Sequence, residues 1–181
     1  MLLLAGWSAQ AQQLFLPLPV DATTRLITYA DVVPTPGIIQ ASLLARARVW
    51  ANRVSVPDKP PLLVNELGTD VLVVAGSQAI NSELDVRPQT LYFLVRIALR
   101  EGRYQYRFEE YTLVTASPDS PLRFETAESA FSSTAPARAT GSAYATRLRR
   151  AFNEAASQAA INLHLALITP LAPPTAAGTD W

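Results

Sequence analysis

The chain has 181 residues, 49% of them hydrophobic, which suits one domain with a sizeable core and excludes global disorder. Lys+Arg and Asp+Glu balance at 15 each, so the basic face of a duplex-binding protein is not expected, and nucleic acid is not an expected partner. Cysteine is absent, which removes disulfides, thiolate metal sites, a cysteine nucleophile and a lipid-modified cysteine, while leaving the redox compartment open.

The opening MLLLAGWSAQAQQ resembles the tail of a secretory signal peptide. Leu2, Leu3 and Leu4 form an apolar start, and Ala9-Gln10-Ala11 fits a small-x-small cleavage site. The basic start and a longer apolar run are missing, and a translation start upstream of Met1 would supply both. Residues 1–11 are therefore read as a signal peptide, which implies a periplasmic or secreted protein. No other stretch reaches the ~18 uninterrupted apolar residues of a membrane span, so no transmembrane segment is expected in the mature chain.

Residues 12–24, with Pro17 and Pro19, read as an extended lead-in to a single domain over 25–169. Arg25–Val33 is β-branched and closed by Pro34, Pro36 and Gly37, a first strand. A helix follows, because Leu43, Ala47, Trp50 and Val54 fall on one face of a 3.6-residue period, and Pro57, Pro60 and Pro61 end it. Leu62–Leu67 and Val71–Ala79 read as a hairpin around Gly68-Thr69-Asp70. Gln89–Arg100 and Arg103–Val114 read as a second hairpin around Glu101-Gly102.

Residues 116–141, rich in Ser, Thr, Ala and Pro, read as a long mobile connection. A last helix then carries Leu148, Phe152, Ala155, Ala159 and Leu163 as a buried stripe. Ile161, Leu163, Leu165 and Leu167 also alternate as a strand would, but the Ala-rich lead-in favours helix. The tail 170–181 reads as disordered. The order β-α-β-β-β-β-α is satisfied by an α+β domain, a five-stranded antiparallel, curved sheet with two helices packed on one face.

Two segments resemble landmarks of a bacterial envelope family known as domain of unknown function 4468, which has a TATA-binding-protein-like fold. In PGIIQASLLARARVW, Gly37, Leu43, Arg46, Ala47 and Trp50 fall in register with the family's first helix, whereas Ile39 and Leu44 stand where the family often has Ser and Tyr. In EGRYQYRF, Glu101, Gly102, Arg103, Tyr104 and Tyr106 match a tight turn followed by Arg-Tyr-x-Tyr, with Glu in place of Asp. The likeness spans about Leu16 to Val114. It implies the fold and an exported protein, and it brings no reaction and no catalytic residues. A fold name does not bring DNA binding with it.

The residues themselves offer little chemistry. His164 is the only imidazole, set in INLHLALI, and there is no Gly-x-Ser-x-Gly elbow, so a helix histidine at a surface or interface is the expectation. Zinc would want several His or Cys ligands. No catalytic residue, metal site or cofactor is expected. Glu83 and Asp85 fall in a loop, and on a strand Glu109 and Glu110 point to opposite faces, so they are not expected to act as a pair on one substrate.

The Glu101-Gly102 hairpin is more informative. With those two residues as the turn, Leu99 faces Tyr104, Ile97 faces Tyr106 and Val95 faces Phe108, all on the continuous apolar face. The other face sets Arg96 opposite Arg107, Tyr92 opposite Tyr111 and Leu94 opposite Glu109. Opposed like charges are unfavourable unless something lies between them, and Glu109 is placed to neutralise part of the pair. The expectation is a solvated face with Glu109 as counter-ion. The sharper reading is a binding surface of Arg96, Arg107, Glu109, Tyr92 and Tyr111 for an anionic or amphipathic partner.

The functional expectation is a non-enzymatic, exported envelope module that presents this sheet face to a protein, peptide or envelope lipid. The alternatives are a small enzyme built on loop carboxylates and a structural subunit that makes contact through its last helix.

Overall fold

The alternation along Gln89–Arg100 organises the fold. Leu91, Phe93, Val95, Ile97 and Leu99 are buried in succession, while the residues between them face the other way, half-buried or exposed. The structure, a computed structural model, describes residues 17–57, 59–66, 69–80, 89–117, 120–131 and 142–171. Its elements are β1 (Tyr29–Pro34), α1 (Gln40–Val54), β2 (Leu62–Glu66), β3 (Thr69–Ile80), β4 (Gln89–Arg100), β5 (Arg103–Ser117), β6 (Ser120–Thr126), α2 (Ala127–Phe131) and α3 (Ser142–Ile168).

The strands form one open antiparallel sheet in the order β1-β5-β4-β3-β2. The long β5 carries two short strands end to end on its outer edge. β1 pairs with Arg103–Phe108, and β6 pairs with Thr112–Ser117.

All three helices contribute to the core on one side of this sheet. Leu43, Ala47, Trp50 and Ala51 of α1 and Phe152, Ala156, Ala159, Leu163 and Leu167 of α3 pack with Leu72 and Val74 of β3 and with the inward row of β4. Aromatic rings tie the layers together edge to face, Trp50 to Phe108 at 6.3 Å, Phe93 to Phe108 at 5.2 Å and Phe131 to Phe152 at 5.1 Å. Such pairs add roughly 0.5–1.5 kcal/mol to the burial of each ring. Gly76 stands opposite Phe93, and a Cβ there would come within 2.7 Å of Phe93 Cζ, so glycine is what lets the ring lie across β3.

The β4–β5 turn also serves α1. Ile39 provides no side-chain cap, and the free Gln40 amide is instead met by the Glu101 carboxylate at 3.1 Å. A carboxylate there suits the positive end of the helix dipole. Gly102, at φ +68, lets the turn close, and its backbone is held by Thr35 and Ile38.

Several sequence expectations change. The first strand begins at Tyr29, because residues 21–26 form a turn in which Arg25 adopts φ +62. The sheet has six strands, since Ser120–Thr126 pairs with β5 and runs into α2 within the segment read as a connection. The rest of that connection, 132–141, lies outside the described residues, as do the signal segment 1–11 and most of the tail. The last helix is continuous to Ile168, with Leu163 and Leu167 inward. Leu148 and Val54, expected in buried stripes, are only half-buried.

Candidate binding face of the sheet

The face of the sheet turned away from the helices carries Arg96 opposite Arg107 and Leu94 opposite Glu109. Arg107 Nε donates to Glu109 Oε2 at 2.6 Å, and its Nη1 donates to Asp21 Oδ2 at 3.1 Å. Arg96 Nε lies 3.7 Å from the other Glu109 oxygen. Glu109 is nearly buried, with 11% of its side chain exposed, so it acts as a wedge between two arginines rather than as a solvated charge. With Asp21, the cluster holds two positive and two negative groups and is neutral.

Asp21 reaches the cluster from the lead-in. Its carboxyl is lowered from 3.8 to about 2, first by the amides of Thr24 and Thr23 and then by Arg107. The Glu109 carboxylate in turn holds the Arg107 guanidinium more firmly protonated.

Tyr92 lies on this face, but it is paired with Thr112 and not with Tyr111. Between Leu94 and Tyr92 the partner strand spends an extra residue, and Glu110 adopts φ +55. This bulge swings Tyr111 into the core, fully buried, against Phe152 at 5.2 Å and Tyr29 at 6.0 Å. Tyr111 is therefore not on the uncovered face, where the sequence reading had placed it. Its hydroxyl finds no hydrogen-bond partner among the described residues, and burial pushes its ionisation up. Its neighbour Tyr29 donates to Asn153 Oδ1 at 2.7 Å and is pushed up to about 12 by burial. The bulge also places Glu110 beside Tyr92 and Leu94, so the two glutamates are not separated by the sheet.

The same face also carries apolar side chains. Val32, Leu62, Leu122 and Phe124 all point to this side and are more than half exposed. A groove of about 410 Å³ runs over Tyr92, Leu94, Thr112, Val114 and Phe124, with Val56 along one wall and Lys59 and Glu110 as its charged groups. Among the described residues no helix covers this face. Sequence reasoning missed Asp21, Leu122 and Phe124, although the Leu122/Phe124 alternation was visible within a Pro- and Ser-rich context.

The remaining candidates are elsewhere. His164 is a half-buried helix residue whose Nδ1 lies 2.9 Å from the Tyr104 hydroxyl on the core side. Glu83 and Asp85 lie outside the described residues. No group of three or more His, Asp or Glu side chains among the described residues could hold a metal ion. No helix among them is long and apolar enough to cross a membrane.

The architecture is that of TATA-binding-protein-like proteins. The chain is similar to a TBP-like protein from Parabacteroides distasonis ATCC 8503, with a TM-score of 0.63 and 13% identity, over 85% of this chain and 99% of the other. It is also similar to a DUF4468 family protein from Bacteroides ovatus ATCC 8483, with a TM-score of 0.57 and 14% identity, over 82% of this chain and 90% of the other. At this identity the likeness establishes a fold shared with a member of that family. No family model and no curated protein sequence matches the chain.

Proposed function

We propose that the chain is an exported, non-enzymatic binding module of the bacterial cell envelope that uses the uncovered face of its sheet. The observation that carries this reading is the combination on one face of exposed apolar side chains with an internally neutralised Arg96–Glu109–Arg107–Asp21 cluster. Tyr92, Leu94, Val114 and Phe124 share one groove on this face, and a polar cluster beside an apolar groove fixes the orientation of what binds there. Export rests on the Ala9-Gln10-Ala11 signature. The partner is a protein, peptide or envelope lipid with apolar groups to match the face.

Capture from envelope extract by wild type and by Leu94→Glu and Phe124→Glu variants tests the face, with cell fractionation testing export. Loss of the same partner in both variants is expected. Equal recovery of every partner would remove the reading.

A second reading has its own observation. Ile161, Leu165 and Ile168 recur at helical spacing on α3 and are 40–50% exposed, an apolar stripe suited to a contact within an envelope assembly. Loss of that assembly in Leu165→Lys, with the sheet-face variants unaffected, would favour it.

A further inference from the structure

The sheet has an open edge at β6. Among the described residues no backbone group pairs with the outer side of Ser120–Thr126. β1, which lies end to end with β6 along β5, partly closes its own edge. There the Asp31 carboxylate turns back to accept the Val32 amide at 2.7 Å, and Pro34 ends the strand. Leu122, Arg123 and Phe124 have no such closure among the described residues, and Leu122 and Phe124 are 57% and 66% exposed at the rim of the uncovered face.

An open edge accepts an added strand, and the side chains along it decide which strand fits. In an antiparallel pair, residues directly opposite share a face and both turn their backbone groups toward the seam, or both away from it. Two copies related by a two-fold axis can therefore meet only with some residue opposite itself. An axis at Arg123 sets arginine against arginine, and one at Glu125 sets glutamate against glutamate. An axis at Leu122 sets Arg123 against Pro121 and leaves Glu125 unpaired across the seam. With the axis at Phe124, Arg123 faces Glu125 of the second copy and Glu125 faces its Arg123.

That register also sets Leu122 against Thr126 and brings the two Phe124 rings together on the uncovered face. Pro121, which has no N–H to give, falls outside the paired stretch. Within one copy Arg123 already lies 3.6 Å from Glu125, and that contact is kept. The four charged side chains then alternate in sign along the helix side of the seam, the favourable arrangement for cross-strand pairs.

We propose that β6 is a self-association edge, on which a second copy of this chain pairs Phe124 to Phe124 and makes one continuous sheet. The two uncovered faces then lie side by side. The groove over Tyr92, Leu94, Thr112 and Val114 ends at Phe124, so the second copy's ring completes its outer end. The two grooves meet across the axis, and the inference adds a partner to the sheet-face reading without depending on it.

The test is sedimentation equilibrium of the full chain over a range of concentrations. A reversible monomer–dimer equilibrium is expected, with Kd roughly tenfold or more weaker in Arg123→Glu, which sets acid against acid twice. Arg48→Gln, an exposed position on α1, should leave Kd unchanged. A second measurement reads the register without reversing a charge. The chain has no cysteine, so the thiol in Phe124→Cys can meet only its own copy. Directly opposed residues have Cα atoms about 4.5–5.5 Å apart, within disulfide reach. Phe124→Cys should therefore crosslink under mild oxidation faster than Leu122→Cys.

A monomer at every concentration, an unchanged Kd in Arg123→Glu, or equal crosslinking from positions 122 and 124 would overturn the proposal. Arg123 points away from the uncovered face, so its variant separates the seam from partner capture. A monomeric wild type that still captures a partner removes this inference and leaves the face standing. A dimer that captures nothing leaves the seam standing and removes the face reading.

Discussion

Arg96 and Arg107 stand directly opposite each other across β4 and β5, and the pair is tolerated because Glu109 lies between them. Glu109→Gln keeps the shape and removes the charge, which leaves Arg107 with Asp21 alone and takes away the counter-ion of Arg96. We expect a loss of about 1–3 kcal/mol in urea unfolding, the range for breaking a charged hydrogen bond at a nearly buried group. Adding Arg96→Gln should restore part of that loss, because it removes the repulsion that Glu109 offsets. A double mutant with no recovery would contradict the wedge.

Tyr111 was drawn into the core with its hydroxyl unpartnered among the described residues. Replacing an unsatisfied buried polar group with the isosteric hydrocarbon removes a desolvation cost. Tyr111→Phe should therefore unfold at equal or higher urea, with a gain of up to about 1 kcal/mol. A clear loss would show that the hydroxyl has a partner.

The bulge depends on Glu110 at φ +55, a conformation that costs a non-glycine residue roughly 1–2 kcal/mol. Glu110→Gly should be neutral or stabilising. Glu110→Val should lose about 1–2 kcal/mol, since a β-branched residue is poorly accommodated there. Equal stability of the two variants in urea melts would argue against a left-handed residue at the bulge.

Asp21 supplies a pH dependence. Its carboxyl is near 2 in the fold, held by the Thr24 and Thr23 amides and by Arg107, and near ~3.9 in an unfolded chain. The fold prefers the ionised form, so this contribution is complete above the unfolded value and is lost as pH falls toward 2. Urea midpoints measured at successive pH values should therefore fall more steeply across that window for wild type than for Asp21→Asn. Parallel curves would contradict the assignment.

Much of this was legible in the sequence because period-two burial is strict along β4, whose bounds fall at Gln89 and Arg100 as read. The turn at Glu101-Gly102 then fixes the pairing as far as Leu94 and Glu109. Beyond that point strict alternation would have placed Glu110 in the core and Tyr111 in solvent. That conflict was the visible signal of a bulge, since the apolar phase Tyr104, Tyr106, Phe108 resumes one residue late at Tyr111 and Leu113.

β6 was harder to read, because its two large apolar residues, Leu122 and Phe124, face outward and a strand without an inward row has little pattern. The Asp21–Arg107 pair joins positions 86 residues apart, and no local rule connects them. The register that pairs Arg96 with Arg107 also pairs Arg100 with Arg103 beside the turn. What local sequence does not reveal is that Glu101 turns away from that row to cap α1.

The central claim is that partners meet the uncovered sheet face. Its most direct test is a photo-crosslinking residue placed at Leu94 on that face, at Ala45 on the exposed side of α1 and at Leu165 on the α3 stripe, each in the full chain in cells. The account predicts a discrete crosslinked product from Leu94 and none from Ala45 or Leu165. A product from Leu165 alone, with Leu94 silent, would contradict it.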